Sequence, residues 1–79
     1  MNFKDQIKKL TAAEIAELQI EQALRILAEN SNLLADIEGE LFDEIGEYGK
    51  HRIRVDQLKS LKETIVKQNM ALSVVAKNG

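Results

Sequence analysis

The strongest constraint on the fold is a pair of apolar series at heptad spacing. From Ile20 to Tyr48, steps of four and three residues alternate, and seven of the nine positions are apolar or aromatic. A second series, from Leu58 to Val75, has the same spacing but is shifted by three residues from the continuation of the first. This spacing is typical of helices that pack along an apolar seam, and the phase change predicts a turn between them. We expect an all-α fold.

The two series predict an antiparallel helical hairpin with coiled-coil-like packing. A helix over residues 12–48 is about 55 Å long and one over 56–76 about 30 Å, so the shorter helix cannot cover the whole seam. We therefore expect a second copy to cover the remainder, giving a homodimeric helical bundle. The predicted oligomer seam comprises Ile20, Leu24, Leu27, Leu34, Leu41, Ile45, Leu58, Leu61, Ile65, Leu72 and Val75.

The alternative architecture is a monomeric three-helix bundle with a break at residues 30–32. Asn30, Ser31 and Asn32 are poor helix formers, whereas the unbroken phase of the apolar series across them favours one long helix. A capping box over residues 11–14 predicts the start of that helix. The predicted single domain, 1–79, contains a short helix over about 3–10, the long helix over about 12–48, a turn at 49–55 and a helix over about 56–76.

The charges are sorted by segment. Ten carboxylates lie between Glu14 and Glu47 against the single cation Arg25, whereas seven cations lie between Lys50 and Lys77 against two carboxylates. The net charge is only −2, so we expect the two segments to pair with each other more than the chain attracts nucleic acid. The basic run remains a candidate anion contact, through Lys50, Arg52 and Arg54, and nucleic-acid binding there is the alternative.

The sequence lacks the residue sets that catalysis, metals or cofactors require. It has no cysteine and a single histidine, His51, so thiol chemistry and a histidine-rich metal shell are excluded. Residues 36–47 place carboxylates at EF-hand spacing, but Leu41 stands where the calcium loop needs glycine. We predict no enzyme activity and no catalytic, metal or cofactor site.

Three side chains are candidate contacts for another protein. Ile37 and Phe42 fall outside the predicted seam, and Tyr48 lies at its end. An aromatic side chain left uncovered by the hairpin is a typical interface anchor. The sequence therefore predicts a non-enzymatic interaction module, a small adaptor or inhibitor, with a purely structural oligomerisation module as a further alternative. Ser31 and Gln68 are polar positions within the seams, which predicts a role in fixing register.

The chain is expected to be cytoplasmic. It has no apolar run near the roughly 18–20 residues that span a bilayer, and its amino-terminal residues lack the hydrophobic block of a secretory signal. In size and composition it resembles the compact regulators carried by bacteria and their phages, without any diagnostic motif.

Overall fold

The computed structural model describes residues 3–46 and 52–78, and within these ranges all regular structure is helical. The prediction of an all-α fold is confirmed. None of the helices in the two described ranges combines the length and apolarity that crossing a membrane requires. The elements are α1 (Phe3–Gln6), α2 (Ala12–Ala16), α3 (Ile20–Gly46) and α4 (Arg52–Asn78).

The helix boundaries differ from the predicted ones at three places. α1 ends at Gln6 instead of residue 10, and α4 begins at Arg52 instead of 56. α3 runs without interruption through residues 30–32, whereas the helical run from Ala12 breaks at residues 17–19. Of the predicted turn at 49–55, residues 49–51 lie outside the described ranges.

Local hydrogen bonds explain the helix starts on either side of that break. The Thr11 hydroxyl accepts from the Glu14 backbone N–H at 3.1 Å, and the Glu14 carboxylate accepts from the Thr11 N–H at 3.1 Å. This is the predicted capping box. At the start of α3, the Gln22 side chain accepts from the Gln19 N–H at 3.0 Å. This is one of the two hydrogen bonds of a capping box, and it stands where the sequence analysis did not predict a break in the helix.

α3 and α4 pack side by side as an antiparallel hairpin. On α3 the buried positions are one residue earlier than predicted, because the helix is rotated by about 100° from the predicted frame. On α4, three positions of the predicted frame, Leu58, Ile65 and Leu72, are fully buried within the chain. The buried positions of α3 are Ala23, Ile26, Asn30, Leu33 and Ile37.

The core of the hairpin consists of two apolar clusters with a polar layer between them. The first joins Phe3 of α1 to Leu33, Ile37, Leu58 and Ile65. The second joins Ile15 of α2 to Ala23, Ile26 and Leu72. Between them in sequence lies Asn30, which is only 2% exposed.

The amino-terminal segment lies along one side of the hairpin. Lys8 ties it down, since its backbone carbonyl accepts from Gln68 Nε2 at 2.7 Å and its ammonium pairs with Glu29 of α3. Ile7 packs against the first cluster and Leu10 against the second. The short helices therefore supply a third layer of packing on this side.

Candidate interaction surfaces

An apolar surface shared by α3 and α4 is only partly covered by the chain's own residues. Leu41 lines a shallow groove with Val66 and Met70, and a neighbouring groove continues along Met70 and Val74. Leu27 and Leu34 share the side of Leu41 because they precede it at seven-residue intervals. Leu24 lies one turn before Leu27 on the same side of α3 and is exposed. We call this surface the open face; it comprises Leu24, Leu27, Leu34, Leu41, Val66, Met70 and Val74.

The open face carries charged residues of both signs. Lys59 and Lys62 line the groove beside Leu41. Lys62 Nζ also pairs with Glu38 Oε1 of α3 at 3.1 Å, and both side chains remain about half exposed. The α4 part of this face therefore carries cations together with one carboxylate, Glu63, and the α3 part carries the carboxylate of Glu38.

The predicted oligomer seam is divided between the core and the open face. Leu58, Ile65 and Leu72 are fully buried within the chain. The predicted seam position Leu24 is instead 53% exposed. Ile20 is also exposed, the side chain of Ile45 lies outside the described residues, and the half-buried members are Leu27, Leu34, Leu41, Leu61 and Val75.

Of the three candidate partner contacts, the structure exposes Phe42. Its side chain is 77% exposed on the last turns of α3. The premise for Ile37 is wrong, because the one-residue phase difference turns this side chain into the first core cluster, where it is fully buried. Tyr48 lies outside the described residues. Ile53, near the start of α4, is as exposed as Phe42, and the sequence prediction did not include it.

The basic run offers fewer free cations than the sequence suggested. Arg54 Nη2 binds Glu40 Oε1 of α3 at 2.6 Å, so this guanidinium is engaged within the hairpin. Arg52 is exposed, and Lys50 lies outside the described residues. The Arg54 pair is the type of contact that the opposite charges of the two segments predicted.

A buried amide layer crosses the hairpin between the two apolar clusters. Asn30 Nδ2 donates to Gln68 Oε1 at 2.7 Å and to Asn69 Oδ1 at 2.9 Å. Gln68 then connects this pair to the backbone of Lys8. The sequence marked Gln68 and Ser31 as the polar seam positions, and the one-residue phase difference puts Asn30 in place of Ser31.

The acidic stretch of α3 is helical where a calcium loop would need a sharp turn. Residues 36–46 continue α3 without interruption. Within the described ranges, no three acidic, histidine or cysteine side chains form a group able to hold a metal ion.

No family model, curated protein or solved structure matches the chain. The surfaces of this hairpin are therefore the basis for its proposed function.

Proposed function

We propose that the chain is a non-enzymatic protein–protein interaction module that homodimerises through the open face and acts as a small adaptor or regulator. The observation that carries this proposal is the open face itself. A hairpin that buries one apolar stripe on each helix still leaves Leu24, Met70 and Val74 more than half exposed. Covering such side chains with another apolar surface contributes about 25 cal/mol per Å².

The second part of the proposal assigns Phe42 as the anchor for another protein. Phe42 is 77% exposed, and it lies outside both core clusters. Removing its ring therefore leaves the packing of the hairpin unchanged. A large aromatic side chain gains more from burial in a partner's pocket than most residues, and such anchors dominate interface energies.

Recovery of the partner from the native cell tests the role of Phe42. Tagged wild-type chain, Phe42→Ala and Ile53→Ala are used in parallel, with bound proteins quantified by mass spectrometry. Ile53 is the matched control, because it is an equally exposed apolar side chain on the other helix. We expect one stoichiometric protein with the wild type and Ile53→Ala, and roughly tenfold less with Phe42→Ala, a typical loss for an interface anchor.

The same experiment separates the alternatives. Recovery that nuclease treatment abolishes would favour a nucleic-acid accessory protein, with Arg52 and its neighbours in the basic run as the contact. Self-association without any other stoichiometric protein would favour a structural oligomerisation module. Equal recovery by Phe42→Ala and wild type, with unchanged melting, would refute the assignment of Phe42. The cytoplasmic location stays a prediction.

A further inference from the structure

The two helices that form the open face carry opposite charge. α3 has seven carboxylates and one cation, whereas α4 has six cations and two carboxylates. At the open face itself, α3 contributes Glu38, and α4 contributes a net positive set, Lys59, Lys62, Lys67 and Glu63. The two halves are therefore complementary when two copies meet with the halves exchanged. Such self-complementarity is what a two-fold symmetric interface requires.

Contacts across the hairpin show which residues lie at the same height. Asn30 bonds to Gln68 and Asn69, so the two helices are aligned there. Because they are antiparallel and rise equally per residue, moving six residues along each helix places Leu24 level with Val74. By the same count, Glu21 lies level with Lys77 near the open end of the hairpin.

We propose that the open face binds the open face of a second copy with α3 of each copy lying on α4 of the other. The two-fold axis then runs parallel to the long axis of the hairpin, and heights along the helices are preserved. Leu24 of each copy meets Val74 of the other, and Glu21 of each copy approaches Lys77 of the other. This arrangement rests on the proposed homodimerisation and adds the orientation of the two copies.

The other two-fold arrangement places like charges together. A two-fold axis perpendicular to the long axis of the hairpin places α3 on α3 and α4 on α4. The helices of each of these pairs are then antiparallel. Pairing about the level at which Asn30 bonds to Gln68 then brings Glu21 of one copy near Glu38 of the other, and Lys59 near Lys77. Juxtaposed like charges disfavour an interface, whereas the α3-on-α4 arrangement pairs them with opposite charges.

The size of the face also suits a second copy. The molecule measures 45 × 19 × 18 Å, so a whole long side projects to about 850 Å², which is large enough to contain the roughly 800 Å² of accessible surface that each partner buries in a standard stable interface. A second copy offers a surface of matching length, the same apolar side chains and complementary charge.

Sedimentation tests whether the open face is the dimer interface, independently of how the two copies are oriented. We expect wild-type chain to sediment as a dimer of about 18 kDa, twice its mass of 8.9 kDa. Met70→Asp puts a carboxylate into the interface twice per dimer and is expected to weaken dimerisation roughly 100-fold. The hairpin itself tolerates this change because Met70 is 66% exposed, which helical circular dichroism verifies. Ile53→Asp, equally polar but outside the face, is the control and is expected to stay dimeric.

Disulfide trapping tests the orientation, and the chain suits it because it has no cysteine of its own. Leu24→Cys and Val74→Cys are made as separate chains with tags of different size, mixed and oxidised. We expect a mixed disulfide between the two chains, and none when Leu24→Cys is mixed with Ile53→Cys. A dimer without the mixed 24–74 disulfide overturns the orientation and leaves homodimerisation standing.

A wild-type chain that stays monomeric as its concentration is raised overturns both homodimerisation and the orientation, but not partner binding at Phe42. If that monomer captures another protein and Met70→Asp abolishes the capture, the open face binds that protein and not a second copy.

Discussion

Replacing Asn30 by alanine measures what the buried amide layer contributes. Asn30 is 2% exposed and donates to Gln68 Oε1 at 2.7 Å and to Asn69 Oδ1 at 2.9 Å. Each hydrogen bond contributes about 1 kcal/mol net, and the space left by the amide adds up to roughly 1 kcal/mol. Loss of the layer is therefore expected to lower the free energy of unfolding by about 2–3 kcal/mol.

Asn32→Ala is the matched control, because Asn32 lies on the same helix but is exposed. Both substitutions gain the same helix propensity, about 0.5 kcal/mol, so the difference between the two variants isolates the buried layer. For a chain of this size that difference corresponds to roughly 10–20 °C in melting temperature. Thermal melting followed by circular dichroism, at one fixed protein concentration, measures it. Melting temperatures within about 2 °C of each other would refute a stabilising role for the layer.

Two further predictions concern the helices themselves. Thr11→Ala removes the capping box of α2 and is expected to lower the free energy of unfolding by about 1 kcal/mol. The control is Thr64→Ala, because Thr64 is exposed within α4, and this variant is expected to melt at or slightly above the wild-type temperature. Equal melting temperatures of the two variants would contradict the role of the cap. Gly39→Ala is expected to stabilise by about 0.5–1 kcal/mol, because an added Cβ meets nothing within 4 Å; a lower melting temperature would show that the glycine is needed, for instance for close approach of a second copy.

The fold class could be predicted because apolar residues at heptad spacing form a continuous face only on a helix. On α4, Leu58, Ile65 and Leu72 stand at seven-residue intervals, with Leu61 and Val75 on the same side, so the sequence marks this face of the helix for burial. All three side chains are completely buried within the chain. The capping box over residues 11–14 was equally predictable, because it requires only local geometry.

The phase of α3 was not predictable from its spacing. Ile26 and Leu27 are both apolar, as are Leu33 and Leu34, so two helical frames one residue apart fit those turns equally well. At Ile37 and Glu38 only the earlier frame places an apolar side chain in the core, whereas at Glu40 and Leu41 only the predicted frame does, so the spacing does not decide between them. The predicted frame put Glu38 inward, and the structure instead pairs it with Lys62 at the surface.

The ambiguity of phase and the open face have the same physical origin. A helix with apolar residues at three adjacent positions of the heptad carries a stripe wider than one neighbouring helix can cover. α4 buries the part that includes Ile26, Leu33 and Ile37, and the part that includes Leu27 and Leu34 is left half-buried. The short helices cannot cover it, because Lys8 holds their segment to Glu29 and Gln68 along the side of the hairpin away from the open face. A stripe of this width needs a further apolar surface, and the sorted charges of α3 and α4 favour the same hairpin in a second copy.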